Sequence, residues 1–522
     1  MAVPLSSDQI ARLEAEGAWP QALAELMLLM RSGAEMDAGL LHWLGRIHQR
    51  LAASEQARRA YLRALALDPQ RPSTYNNLAL LELARLDGAQ AEFWLQEGLR
   101  QPALTDDEAE LLNASACELY LYLLKPKRAL EHVQRQLERR VSVMALANRA
   151  ICHHRLGQLE QALADQYQAL NLFLSQVAPD WRLFPVADLV GRRLADLQQS
   201  CQLQLILLNL GIYRLLLQPD DRQGLDLLMA STFSDVADWL DLGRCASRWC
   251  GQPVRDLLVW EDQGFGDSIQ NLAWLPDAAA RCQKLRLWLR PQLMALVEER
   301  LHLPANVSVE PMPEQADPWG EGIPQLGLFF LPMLLKQWPS LDSPARPPWL
   351  RRRQVIRGAS PSRRVGLVWS AGRHRAPQPE RSARVRDVPF DQLWTHALRW
   401  RQLHGLELIS LQLEGHDHPA VAAQMGAGLL QPGLQSADWL ATAQCLDGLD
   451  LVVSVDTSVA HLAGAMGIPC VLLLGVPADW RWGQQGAFTP LYGSMRLARC
   501  SHLDGWGSAM EQADQQIEEI LT

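Results

Sequence analysis

The chain reads as an α-helical repeat solenoid followed by a pair of doubly wound α/β lobes, and three observations predict this. Small residues recur with a phase near 34 through the first third. From Val254 onward, short apolar, β-branched runs alternate with helical patterns. A Pro/Arg-rich crossing at 339–348 divides that second part into two such sets. A chain of 522 residues exceeds one compact core. The expected domains are 1–174 for the repeats, 175–251 for a helical connector, 252–348 for a short first lobe and 349–522 for the second.

The period rests on Ala57, Ala91, Ala129 and Ala162, at steps of 34, 38 and 33 residues. Around Ala57 lie Leu41, Leu44, Gly45, Tyr61, Ala64 and Pro69; around Ala91 lie Tyr75, Leu78, Ala79, Leu95 and Gly98. Small residues let two helices approach closely, and large ones fill the seam between pairs. Proline stops the second helix before the next begins. This spacing resembles the tetratricopeptide repeat across 37–173, with 1–34 as an atypical capping unit. The third repeat is longer, and the fourth carries Gln166 where a large apolar residue is usual. Stacked helix pairs leave a concave surface, so the resemblance implies a bound peptide or protein segment.

After 175 the three- and four-residue apolar steps persist without the period, as in "VADLVGRRLADLQQSCQLQLILLNLGIYRLLL". Then come the strand candidates "DLLVW" (256–260), "KLRLWL" (284–289), "VSVEPM", "LGLFFLP", "RVGLVWSAG" (364–372), "LELISLQLEG" (406–415) and the two runs within 449–475. Alternation with helices means parallel sheets.

Bulk properties exclude several classes. A net charge of −9 and a pI near 5.8 argue against nucleic acid or an anionic membrane surface as the main partner. The arginine-rich "RRRQVIR" (351–357) reads as a solvated linker. The apolar windows 203–217 and 449–476 are both broken by polar residues, so no membrane span is expected. "MAVPLSSDQI" lacks a basic region followed by an apolar core, so no signal peptide is expected. The nine cysteines are scattered without a C-x-x-C, which points to reduced, mostly buried thiols in a cytoplasmic protein.

Open parallel sheets bind ligands beyond the carboxyl ends of their strands, where turns feed helix N-termini. Three such ends stand out: 264–267, 370–373 and 456–458. In "LDLVVSVDTSVAHLAGAMGIPCVLLLG" (449–475) a helix is expected over 458–466, with Gly467 as its left-handed stop and Pro469 beyond. Thr457 and Ser458 either cap that helix or, with its free amides, receive an anion. His461 either joins them or is a core histidine satisfied by backbone.

Taken in order, "GDSIQNLAWLP" (266–276), "VGLVWSAG" (365–372) and "SVDTSVAHLAGAMGIPCVLLLGVPADWRW" (454–482) resemble the two-lobed GT-B glycosyltransferases, which have Rossmann-type lobes. The likeness is to heptosyltransferase-like families and bacterial tetratricopeptide-repeat glycosyltransferases, and covers most of 254–499. Repeats joined to such lobes are also similar to the O-GlcNAc transferase arrangement. Two departures stand: 373–390 lacks the Asn-Asp of the bacterial enzymes, and "EDQGFGD" (261–267) replaces "GEQGLGD".

The resemblance implies a glycosyltransferase moving a sugar from a nucleotide diphosphate to a protein or glycan recruited by the repeats. Such transfer needs a base for the acceptor proton and a grip on the departing diphosphate. Asp267 matches the position of the proposed base; an N-cap for a helix over 268–274 is its alternative. Ser370 and Asp456 lie at the strand ends. The backbone of Thr457, Ser458 and Val459, the Ser458 hydroxyl and His461 are expected to hold the diphosphate, with Arg373 adding positive charge. Gln412 and Glu414 are expected to meet the base and ribose. Trp480 and Trp482 either line the pocket or pack between lobes. No D-x-D pair calls for a metal, "HDH" (416–418) reads as an exposed loop, and no cofactor is expected beyond the nucleotide-sugar co-substrate. Uridine-diphosphate sugars and ADP-heptose both fit, and inversion is implied by the resemblance alone. The competing class is a non-catalytic repeat scaffold with a degenerate nucleotide-sugar lobe. A dinucleotide-dependent oxidoreductase fails because no G-x-G-x-x-G opens a helix.

Overall fold

The computed structural model describes residues 12–13, 16–33, 35–177, 201–231, 249–313, 322–340, 344–355, 362–371, 386–412, 419–424, 428–431, 438–501 and 505–522. The chain divides into two compact units, 1–179 and 180–522.

The first unit is helical. Helix Trp19–Arg31 precedes four hairpins: Ala38–Arg50 with Ser54–Leu67, Pro72–Ala84 with Gly88–Leu99, Asp106–Tyr122 with Pro126–Arg139, and Val143–Arg155 with Leu159–Val177. Each hairpin turns through a residue of positive φ: Ala52, Leu86, Leu124 and Gly157. These four repeat the 34-, 38- and 33-residue steps of the alanines, five positions ahead of each. The left-handed turn therefore shares the sequence period, at about 1–2 kcal/mol wherever a side chain stands in it. The small residues act as expected: a Cβ at Gly45 would overlap the Tyr61 ring, and one at Gly98 would lie 2.9 Å from Tyr75. The long third step has a local cause. Helix Asp106–Tyr122 has 17 residues and opens with a Thr105–Glu108 capping box, whereas the equivalent helices have 13.

The second unit holds two all-parallel sheets. Strands β1 (Val254–Trp260), β2 (Cys282–Leu289), β3 (Val307–Pro311) and β4 (Gln325–Gly327) lie in the order β3-β2-β1-β4. Strands β5 (Arg364–Val368), β6 (Glu407–Ser410), β7 (Leu429–Leu430), β8 (Leu451–Val455), β9 (Cys470–Leu474) and β10 (Met495–Arg499) lie in the order β10-β9-β8-β5-β6-β7. In the second sheet the chain winds outward from β5 to β7, then restarts on the other side of β5 with β8. The switch point of that sheet is the gap between the ends of β5 and β8; in the first sheet it lies between β1 and β4. Strand β8 is fully buried, Ser454 included, which explains its otherwise apolar run.

Two local expectations are corrected. The "LGLFFLP" run is a strand only over Gln325–Gly327 and then turns into a 3₁₀ segment, Leu328–Phe330. The cause is Asp262, whose Oδ1 accepts the Phe329 N–H at 3.1 Å and folds the chain back. The helix after β1 begins at Phe265 rather than Ser268, because extended Gly264 takes the N-cap. The described connector is helical, over Cys201–Leu217 and Arg222–Ser231, and its first helix meets the turn Trp480–Trp482.

The two lobes are sewn together. Arg300 is fully buried and donates to both carboxylate oxygens of Asp447, at 3.1 and 2.8 Å. The segment 349–353 runs alongside: the Trp349 and Leu350 amides reach the Ala465 carbonyl, and the Arg353 amide reaches Asp447 Oδ1 at 2.8 Å. The arginines of "RRRQVIR" described here, 351–353, are exposed as expected, yet their backbone and the Arg352 guanidinium anchor the lobe junction.

Candidate active site

The carboxyl ends of β1 and β8 face one another. Helix Phe265–Asn271 packs on helix Ser458–Ala465 so closely that a Cβ on Gly266 would lie 2.7 Å from His461 Cδ2 and 3.3 Å from Ser458 Cα. Glycine is the residue that permits this approach.

On the β1 side, Glu261 is consumed locally, accepting from the Ser268 hydroxyl at 2.8 Å and from the backbone and side chain of Arg290. Asp262 is buried, and among the described residues its Oδ2 has no hydrogen-bond partner. Burial pushes its pKa up to about 8, so it carries a proton at neutral pH. Asp267 stands in the helix's first turn, accepts a backbone hydrogen bond from Gly264, and pairs with Arg481. Its side chain keeps 24% exposure, so an incoming group can reach it. Burial raises its pKa, and the Arg481 charge opposes that rise.

On the β8 side, Thr457 occupies the N-cap position of helix Ser458–Ala465, but no side chain caps that helix. The Thr457 hydroxyl pairs instead with Ser454 Oγ at 3.0 Å. Of the two readings open to this turn, the side-chain cap is thus not realised. The expected stop is: Gly467 has φ +70°. Ser458 is half-buried and Val459 buried. His461 is buried, with Nδ1 bonded to the Tyr492 hydroxyl at 2.7 Å and its ring stacked on Trp482 at 5.3 Å. Burial, reinforced by the Arg481 charge, lowers its pKa to about 3. The imidazole is neutral, satisfied by a tyrosine rather than by backbone, and supplies no positive charge. Asp456, with its Oδ1 3.9 Å from His461 Nε2, has a pKa raised to about 6 by burial and by Asp479.

Among the described residues, two arginines not expected as site residues supply positive charge, Arg481 and Arg386. Arg481 leaves the loop after β9, donates to Asp479 at 2.8 Å and to Asp267, and lies against the Trp480 and Phe329 rings. Burial works against its charge, but Asp267 and Asp479 outweigh it and the guanidinium stays cationic. Arg386 donates to the Asp456 carbonyl at 3.5 Å. The signal for Arg481 was present in "ADWRW", a lone arginine between tryptophans at a strand end; Tyr492 had no comparable signal.

The β5/β6 exit is different. Gln412 Oε1 accepts the Trp369 and Ser370 amides at 3.2 and 3.1 Å, and its Nε2 donates to the Ser370 carbonyl and hydroxyl at 3.1 and 3.0 Å. Its amide is committed to the β5 turn, so in this geometry it has nothing left for a nucleotide base. Asp387 accepts the Ala371 amide at 2.7 Å. Trp480 is buried with its ring tilted against Trp338 at 4.9 Å, and Trp338 in turn stacks on Trp274; it packs between the lobes. Arg373, Glu414 and the "HDH" run lie outside the described residues. Among the described residues, no group of three His, Cys, Asp or Glu is set to hold a metal ion.

Repeats, two facing Rossmann-type sheets and opposed switch points are now in hand. The architecture is a run of helical hairpins followed by two parallel-sheet α/β lobes. No protein-family profile matches the chain. Protein FlbA of Caulobacter vibrioides is 24% identical over 298 residues, which is 52% of this chain and 48% of that protein. The match therefore spans about half of that relative's length. A mutant O-GlcNAc transferase from Thermobaculum terrenum aligns over 93% of this chain and 92% of its own, at 13% identity and a TM-score of 0.33. A family 9 glycosyl transferase from Veillonella parvula covers 51% of this chain and 97% of its own, at 12% identity and a TM-score of 0.34.

Proposed function

We propose that this two-lobed unit is a metal-independent glycosyltransferase that moves a sugar from a nucleotide-diphosphate donor to a protein or glycan acceptor held by the repeats. One observation carries the reading: the helix that bears Asp267, whose carboxylate pairs with Arg481, packs in one lobe on helix Ser458–Ala465 of the other, whose first turn has no side-chain cap. In the reaction the bond from the anomeric carbon to the phosphate oxygen breaks, and its electron pair leaves with the diphosphate. The acceptor oxygen bonds to that carbon, and its proton passes to Asp267. The amides of the first turn, the Ser458 hydroxyl and Arg481 receive the leaving charge. His461 contributes shape rather than charge, by filling the space under that turn.

Cytoplasmic placement belongs to the same proposal. It is supported by seven cysteines among the described residues that stand as thiols rather than in disulfides. Among those residues, too, no helix is long and apolar enough to cross a membrane.

A second reading has its own observation. Asp267 is already engaged by Arg481, and the Gly266 face is in contact with Ser458, as in a unit that binds but does not turn over. Incubating the purified chain with UDP-, GDP- and ADP-sugars and measuring released nucleoside diphosphate separates the two. Release from one donor class supports the enzyme. Thermal stabilisation without release from any of them supports the scaffold.

A further inference from the structure

We propose that Arg481 is the pyrophosphate clamp of this site and that Asp267 is its exchangeable counter-ion, so that a donor pyrophosphate and the Asp267 carboxylate compete for one guanidinium. The inference rests on the glycosyltransferase reading and deepens it.

Arg481 is held from two sides that are not equivalent. Asp479, two residues away in the same loop, accepts both the Arg481 amide at 3.0 Å and its Nη1 at 2.8 Å, which fixes where the guanidinium points. The other nitrogen, Nη2, reaches across the lobes to Asp267. Asp479 is thus the positioning partner, and the Asp267 contact is the one that can be exchanged without releasing the loop. The side chains keep 12% and 24% exposure respectively, so the pair lies at the edge of the buried cluster and a ligand can reach it.

The surroundings point the exchanged group at the helix turn. Arg386 donates to the Asp456 carbonyl at 3.5 Å, next to the first turn of helix Ser458–Ala465, and the charges of Arg481 and Arg386 both lower the basicity of His461 in that turn. The other charged groups packed there are Asp456 and Asp479, and Tyr492 closes the floor. A guanidinium fork matches carboxylate and phosphate oxygens in the same geometry, and a pyrophosphate brings more negative charge than a carboxylate. Donor binding therefore draws Nη2 away from Asp267 and leaves that carboxylate free for the acceptor proton. The base is exposed when the donor is in place, which couples proton removal to donor occupancy.

Calorimetric titration of the full chain with inorganic pyrophosphate, UDP, GDP and ADP tests this. Asp267→Asn removes the competitor, and the expected result is about tenfold tighter pyrophosphate binding, the direction opposite to that of a lost ligand contact. Arg481→Gln is expected to weaken binding about tenfold or more, and the double variant to match Arg481→Gln. Asp479→Asn, which loosens the loop while keeping both cations, is expected to weaken binding by a smaller factor. Should Arg481→Gln not fold, Asp267→Asn and Asp479→Asn decide the matter. Unchanged or weaker binding by Asp267→Asn overturns the competition while leaving the transferase reading standing. Wild-type protein that binds none of the four probes overturns the transferase reading itself.

Discussion

Two strand exits in the same sheet look alike in sequence and behave differently in structure. At the end of β5, the turn amides of Trp369, Ser370 and Ala371 are all bonded to side chains, Gln412 and Asp387. At the end of β8, the N-cap hydroxyl turns away to Ser454, and no side chain caps the helix that follows. Both exits flank one switch point, where an open α/β sheet binds its ligand. The contrast teaches which half of that crevice is scaffold and which half is site. Polar groups satisfied from within hold the turn in shape; groups left without an internal partner are what a ligand can use.

The largest effect should come from the residue facing the β8 exit. Asp267→Asn should lower turnover about 10²- to 10⁴-fold with no rise in donor KM, measured by release of nucleoside diphosphate. Full turnover in the folded variant would remove Asp267 as the base.

The next pair sharpens the contrast itself. Gln412→Ala abandons four hydrogen bonds at the β5 exit and should cost about 2–3 kcal/mol in chemical denaturation. Ser458→Asp should hold or raise stability, because a carboxylate suits a helix N-terminus, while weakening pyrophosphate binding about tenfold. A stable Gln412 variant beside an unstable Ser458 variant would reverse the roles of the two exits.

A smaller effect concerns pH. The folded pKa of Asp262 is raised to about 8, well above an unfolded aspartate. The stability linked to its proton is complete below the unfolded pKa and is lost as pH rises through about 8. Wild type should therefore lose about 2 kcal/mol relative to Asp262→Asn between pH 6 and 8, followed by urea melts of both. Parallel pH curves would show that the carboxyl is ionised in the fold.

Much of this architecture was legible in the sequence because it rests on local chemistry. The repeat phase appears in alanines that must be small, and the left-handed hairpin turns fall at the same steps. Strand β8 was visible as a buried apolar run with a glycine stop beyond its helix. What stayed hidden depended on contacts distant in the chain. Gln412 closes a strand in a way that suggests a ligand, and only the fold brings Ser370 to it from 42 positions away. Arg481 and Asp267 are 214 positions apart, so no spacing rule joins them. The choice between phosphate ligand and core histidine for His461 turns on Tyr492 and Trp482, which are 31 and 21 positions away and help bury it as a neutral ring.

Hydrogen–deuterium exchange on the full chain, with and without saturating UDP, GDP or ADP, addresses the leaving-group site most directly. One of these nucleotides should slow exchange of the amides from Asp456 to His461 more than its monophosphate does. Binding that protects other segments and leaves this turn unchanged would contradict the account.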